Sequence, residues 1–215
     1  MLYLGERASD ASLALVQAAL ERITTALGED LIDLVPSYAS ILILYNPLRS
    51  THTNIVRRVR EALHDLPAQA TAVGRTVVLP VYYAPEAGAD LEALAARAGL
   101  SVPEVIELHT GTEYRVYAIG FAPGFAYLGE VDERIATPRL ATPRARVPRG
   151  SVAIAERQTA VYPAESPGGW NLIGRCPVSM FNPQSQPCMP VAVGDSVRFS
   201  AIGRARFLAL GGELA

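Results

Sequence analysis

From Glu113 onward the chain never runs far without a proline or a glycine, and this punctuation limits what its second half can fold into. Proline fixes φ and removes a backbone donor, while glycine opens conformations closed to other residues. Together they interrupt helices and long strands. The pieces between them are short and β-rich: Tyr114 to Ile119, Ser151 to Ile154, Thr159 to Tyr162, Trp170 to Ile173, Val197 to Phe199 and Arg206 to Leu210. Many short strands with such connectors predict a barrel or a sandwich.

The first part reads differently. Leu13, Val16, Leu20, Ile23 and Leu27 recur at steps of three and four, which predicts an amphipathic helix over 10 to 27. Ser9 or Asp10 serves as its N-cap and Gly28 lies past its end. Leu31 to Val35 and Ser40 to Tyr45 read as strands separated by Pro36-Ser37 and closed by Asn46-Pro47. A second helix over about 52 to 65 carries Ile55, Val59 and Leu63 on one side, and Thr76 to Tyr83 reads as a strand. Pro80 within that strand argues for an edge position or a crossover. We place a small two-layer α+β domain at 1 to 83 and a β-rich domain at 84 to 215. Two short helices open the second domain, Asp90 to Ala98 and one starting at Ser101-Val102-Pro103-Glu104. The latter sequence is a capping box, and its helix ends near His109.

Half of the 215 residues are hydrophobic, enough for a sizeable buried core. The formal charge of −2 speaks against nucleic acid and anionic membrane surfaces as partners. All 19 basic residues are arginine. Without lysine there is no Schiff-base chemistry, no lysine general base and no phosphate-loop lysine. Arginine retains a planar fork that suits carboxylate and phosphate. Cys176 and Cys188 make neither a disulfide scaffold nor a C-x-x-C zinc site. No secretory signal is expected from residues 1 to 7, and no apolar run is long enough to span a membrane, so a cytoplasmic protein is expected.

Several loops look built for chemistry. Gly120-Phe121-Ala122-Pro123-Gly124-Phe125-Ala126-Tyr127-Leu128-Gly129 mixes three glycines with three aromatics. Its backbone could approach a ligand closely, although such a loop packs against its own barrel more often than it binds substrate. Thr137-Pro138-Arg139 and Thr142-Pro143-Arg144 set two guanidinium groups on an extended segment. They could grip an anion together or satisfy loop carbonyls. Ser166-Pro167-Gly168-Gly169-Trp170 could form an anion nest or a tight turn over a buried tryptophan. His109, at a helix end, could act as general acid or base, or could simply cap the helix. Charge is segregated: 81 to 114 holds six acids and one arginine, whereas 131 to 160 holds six arginines and three acids. The basic stretch is either an anion-attracting face or a solvated surface. Walker, nucleophile-elbow, zincin and Rossmann signatures are absent.

Taken in order, these segments resemble a known family. The glycine-aromatic loop, the doubled Thr-Pro-Arg, Arg146-Val147-Pro148, Gly150-Ser151-Val152, Gln158-Thr159, Tyr162-Pro163, Ser166 to Trp170 and Ile173-Gly174-Arg175 are similar to the signature of the 5-oxoprolinase B subunit. That family was formerly called allophanate hydrolase subunit 1 and includes the sporulation kinase A inhibitor. The resemblance continues upstream through Val35-Pro36-Ser37-Tyr38 and Leu44-Tyr45-Asn46-Pro47. The chain departs from the pattern at Arg149, where a small residue is usual, and at Glu156, where glycine is common.

The resemblance implies an α+β N-terminal domain followed by an all-β, cyclophilin-like barrel. It implies direct pairing with the C subunit of 5-oxoprolinase, cooperation with its A subunit, and ATP-dependent opening of 5-oxo-L-proline to L-glutamate. ATP would then be a co-substrate, with Mg2+ held elsewhere in the complex. The expected substrate- or nucleotide-binding face comprises Phe121, Pro123, Gly124, Phe125, Tyr127, Arg139, Arg144, Gln158, Tyr162, Ser166, Gly168, Gly169, Trp170 and Arg175, with His109 as the catalytic candidate. Two other functions share the architecture: a protein-binding inhibitor of a histidine kinase, and a carboxyltransferase-like component of a urea carboxylase or allophanate system. The last would need a biotin carrier elsewhere, because this chain has no lysine to carry biotin.

Overall fold

The 3.6-residue spacing of Leu13, Val16, Ile23 and Leu27 holds in the computed structural model, which describes residues 1–6, 9–66 and 74–214. The chain divides into two compact units, Met1–Gly74 and Arg75–Ala215. In the first, strand β1 (Leu2–Tyr3) precedes helix α1 (Asp10–Leu27), strands β2 (Leu31–Ser37) and β3 (Ser40–Tyr45), and helix α2 (His52–Leu63). Ser9 is the N-cap of α1: its hydroxyl accepts from the Ser12 N–H and satisfies one of the orphan donors of the first turn. The strands pair antiparallel in the order β1–β3–β2, with Pro36 inside β2 and a two-residue turn at Tyr38-Ala39. Both helices bury their apolar sides with Ile41 of β3, through Val16, Ala19, Ile23 and Leu27 of α1 and Ile55 and Val59 of α2. Arg58 of α2 pairs with Asp30 and donates to the Leu27 carbonyl at 3.2 Å, satisfying the last turn of α1.

The second unit starts with β4 (Thr76–Val81), then α3 (Leu91–Ala98), α4 (Val102–Gly111), β5 (Glu113–Ile119) and β6 (Ala126–Gly129). It continues through β7 (Arg144–Val147), β8 (Ser151–Ala155), β9 (Gln158–Val161), β10 (Ser166–Gly168), β11 (Asn171–Arg175), β12 (Ser196–Ala201) and α5 (Arg204–Ala209). Seven of these strands form a ring. β4 pairs parallel with β12, and antiparallel pairs then run β12–β5, β5–β6, β6–β9, β9–β8 and β8–β11. Tyr82, just past β4, exchanges both backbone hydrogen bonds with Arg175 at the end of β11, at 2.8 and 2.9 Å, and closes the circle. β7 and β10 form a separate two-stranded ribbon.

Alternate residues of every ring strand fill one core: Leu79 and Val81, Val116, Leu128, Val152 and Ile154, Val161, Ile173, and Val197 with Phe199. Helices α3 and α4 add Leu91, Leu94 and Val105 to it. Ser101 and Glu104 form the expected capping box at the start of α4. β8 and β11 are buried along their whole length, because their opposite face carries a second, smaller core.

Three expectations need revision. Thr76 to Tyr83 was expected in the first domain, but β4 lies in the second unit, paired along its length with β12. Pro80 is tolerated there because only Tyr82 bonds a neighbour on the other side. Arg206 to Leu210 was expected to be a strand, but α5 covers most of it. Only Phe207 is buried, against Tyr82 at 5.6 Å, while Leu208 and Leu210 stay exposed, so a single anchored turn satisfies the segment. The second unit is also not all-β, since it carries α3, α4 and α5; the chain as a whole is mixed α/β dominated by antiparallel sheet. Among the described residues no helix is long and apolar enough to cross a membrane.

Glu156, in the turn between β8 and β9, has φ of 52°, a left-handed conformation that penalises a side chain. Its backbone is held there by mutual hydrogen bonds with Thr137 at 2.6 and 3.3 Å. Glu156→Gly is therefore expected to stabilise the protein by about 1 kcal/mol. Arg157→Gly in the same turn gains nothing. Urea denaturation midpoints of the two variants against the parent decide it.

Candidate functional site

The wall of the ring is thin along β8 and β9, where Ala153, Ala155 and Ala160 face outward, and large aromatics occupy the space they leave. Phe125 is the centre of this outer core. Tyr127, Tyr162 and Trp170 surround it edge-on or nearly so, with ring centroids 4.9, 5.3 and 5.6 Å away. Phe121 meets Phe125 at 5.3 Å yet remains 65% exposed. The loop reaches this position by curling: Phe121 has φ of 70° and Gly124 of 87°. A Cβ on Gly124 would come within 2.6 Å of the Met180 carbonyl oxygen. Pro123 is exposed at the tip. The second half of the expected loop is a strand, β6.

The Thr-Pro-Arg repeat closes over the same cluster, and its two arginines take different tasks. Arg139 stacks over the Trp170 ring at 5.7 Å and has no carboxylate partner among the described residues. Arg144 donates to Asp90 at 2.6 Å and to the Trp170 carbonyl at 3.5 Å. Asp90 also accepts from the Leu172 N–H at 2.7 Å, so one carboxylate joins the start of α3 to β11 and β7. The expected paired grip of Arg139 and Arg144 on an anion is thus split: Arg144 is structural and Arg139 is available. Within the basic stretch Arg134, Arg144, Arg146 and Arg157 all pair with carboxylates, leaving Arg139 and Arg149 without one among the described residues.

The double glycine serves packing first. A Cβ on Gly168 would meet the Tyr162 hydroxyl at 2.3 Å, and the Gly169 carbonyl accepts from the Leu140 N–H at 2.7 Å. Burial raises the Tyr162 phenol above its usual pKa, and the nearby Arg139 pulls it back. The Ser166 hydroxyl is buried without a partner. Phe121, Pro123, Gly124, Phe125, Tyr127, Arg139, Arg144, Tyr162, Gly168, Gly169 and Trp170 therefore converge through the Phe125 cluster and the loops folded onto it. Gln158 stands at the start of β9 opposite Gly129 and Ala155, and Arg175 lines a separate cavity. Asp90, absent from the expected set, had no motif to mark it: its two bonds run to residues 54 and 82 positions away.

His109 lies inside the ring core, fully buried, stacked on Phe199 at 4.6 Å. The Thr159 hydroxyl donates to the Ala153 carbonyl and so accepts from His109 Nε2–H at 2.9 Å. His109 Nδ1 accepts from the Tyr83 hydroxyl at 2.7 Å. Burial lowers its pKa to about 3, so the ring is neutral at neutral pH. Neither acid–base exchange with a substrate nor charged helix capping fits a buried, fully bonded imidazole; it joins α4 to β9. Periodicity around Val105 and Ile106 could not reveal this, because the partners come from distant strands.

Two outcomes follow from this geometry. Between about pH 6.5 and pH 3 the unfolded chain's imidazole binds a proton that the folded one refuses, so stability falls as pH falls. His109 should contribute up to about 1.4 kcal/mol per pH unit to that slope, and His109→Gln should lose this share in urea titrations at several pH values. Equal slopes reject the neutral buried ring. Gly168→Ala forces Tyr162 out of its place and should destabilise by about 1–3 kcal/mol, with loss of the near-ultraviolet aromatic signal as the accompanying readout.

Comparison with known proteins identifies the lineage. The model of the carboxyltransferase domain, subdomain C and D, matches residues 1–191. The 5-oxoprolinase B subunit of Bacillus subtilis (strain 168) is 37% identical over 212 residues, covering 94% of this chain and 88% of that protein. Among solved structures, TTHA0988 superposes with a TM-score of 0.83 at 38% identity; the match covers 94% of this chain but spans only 39% of that one. The urea carboxylase of Kluyveromyces lactis matches 92% of this chain and 20% of its own with a TM-score of 0.72, and at 14% identity this shows a shared fold alone. The chain belongs to the family of 5-oxoprolinase B subunits, within the carboxyltransferase domain, subdomain C and D.

Proposed function

We propose that this chain is the B subunit of a cytoplasmic, ATP-dependent 5-oxoprolinase that opens 5-oxo-L-proline to L-glutamate together with the A and C subunits. The observation that carries the reading is the nearly full-length match to a 5-oxoprolinase B subunit, at 37% identity. The surface agrees with a shared active site. Arg139 stands over Trp170 with no carboxylate partner among the described residues, Phe121 packs on Phe125 of the same cluster and is exposed, and such a cationic and aromatic patch suits an anionic substrate completed by a second protein.

A five-membered lactam resists hydrolysis because its amide is stabilised by resonance. Transfer of the γ-phosphoryl group of ATP to the lactam oxygen releases ADP and makes the ring carbon electrophilic. Water then adds to that carbon and the C–N bond breaks as nitrogen takes up a proton, leaving an acyl phosphate; a second water adds to the same carbon and phosphate leaves with the original lactam oxygen, which completes the carboxylate. Arg139 would stabilise charge on the phosphorylated oxygen. Without lysine, this chain cannot hold ATP in a Walker-type loop, and the Mg2+ is assigned to another part of the complex. The ring of strands corresponds, on this reading, to a cyclophilin-like barrel that pairs directly with the C subunit.

Mixing the chain with its A and C partners should give glutamate from 5-oxoproline only when ATP is present and this chain is included. Arg139→Gln should lower turnover at least about tenfold while the complex still assembles on a sizing column. Undiminished glutamate formation without this chain would refute the proposal.

A further inference from the structure

Arg175 is 7% exposed, and no carboxylate pairs with it among the described residues. Its Nη1 donates to the Glu213 carbonyl at 2.9 Å, while Nε is sealed from solvent and has no acceptor. Nη2 is neither bonded nor sealed, so it is the edge of the fork that remains accessible. A guanidinium taken out of water with only one carbonyl in return is incompletely compensated. It lines a cavity of about 250 Å³ walled by 148–150, 175–178 and 211–214. Arg149, the second unpaired arginine of the basic stretch, lines the same cavity. Two arginines with no carboxylate bonded to them among the described residues therefore share one concave site, distinct from the Phe125 face.

We infer that this cavity is a binding site for a small monocarboxylate, held by Nη2 of Arg175 and by Arg149. Two guanidinium groups lining one cavity can each donate to an oxygen of a carboxylate. The rim also carries Glu213 and Glu165, the latter with its carboxylate 3.8 Å from Arg146. A negative rim tolerates a singly charged ligand better than doubly charged phosphate. The volume suits a molecule the size of an amino acid. That the natural occupant is 5-oxoproline or glutamate, as a molecule apart from the one reacting at Arg139, rests on the proposed function; the carboxylate class rests on the cavity alone.

The test is a titration of the full chain, 15N-labelled, with acetate, 5-oxo-L-proline, 2-pyrrolidinone and inorganic phosphate, following the amides of Gly150, Cys176 and Gly212. Acetate and 5-oxoproline should move all three, whereas 2-pyrrolidinone, the lactam without a carboxylate, should not. Arg149→Gln, an exposed position, should weaken carboxylate binding roughly tenfold with the spectrum otherwise unchanged, and Arg175→Lys should weaken it at least as much. The inference is overturned if acetate moves none of these amides, if 2-pyrrolidinone moves them equally, if phosphate binds more tightly than the carboxylates, or if Arg149→Gln leaves affinity unchanged. Carboxylate binding in a chain whose reconstituted complex makes no glutamate upholds the site and removes only the proposed substrate.

Discussion

The two backbone hydrogen bonds between Tyr82 and Arg175 turn an open sheet into a ring, and most of the second unit follows from that closure. A closed ring has no free edge to protect, and its interior can be filled from every strand at once. Closure also fixes the backbone of Arg175, so its side chain is delivered into the cavity beside Gly150 rather than to open solvent. On the outer side, the alanines of β8 and β9 leave room for Phe125, Tyr162 and Trp170. The inner core sets the frame, and the outer core presents the loops.

Much of this order is legible in the sequence because it is local. The α1 stripe, the Ser101 and Glu104 capping box and the β-rich pieces follow from residues within one or two turns of each other. What escaped depends on distant partners. β4 looks like an appendage of the first unit until β12 lies beside it. α5 imitates a strand because Phe207, its one buried anchor, gives no period to read. His109 resembles a reactive group in the sequence, but Tyr83 and Thr159, 26 and 50 residues away, hold it in the core. The loop residues around Phe125 were legible as a set only through the ordered family signature. Their division into an aromatic face and an Arg175 cavity was not, since both arise from closure of the ring.

The lysine-free composition gains meaning in the same way. Most arginines of the basic stretch are spent on carboxylates: Arg134 on Asp132, Arg157 on Glu130 and Glu133, and Arg144 on Asp90. A linear charge count therefore overstates the positive potential of this segment. What remains is selective: Arg139 on tryptophan, and Arg149 beside Arg175. Cationic character is concentrated where arginines have no carboxylate bonded to them among the described residues, and both places lie on surfaces that an anionic metabolite could reach.

The position of β12 has a consequence for how the protein is made. It is inserted between β4 and β5, and the Asp195 carboxylate just before it holds the Arg75 N–H, 120 residues earlier. A ribosome therefore releases β4 through β11 before the strand that joins the first to the rest exists as a free chain. Until Ser196–Ala201 emerges, the nascent ring has a gap with apolar lining on view, so the second unit completes itself only once β12 is free of the ribosome.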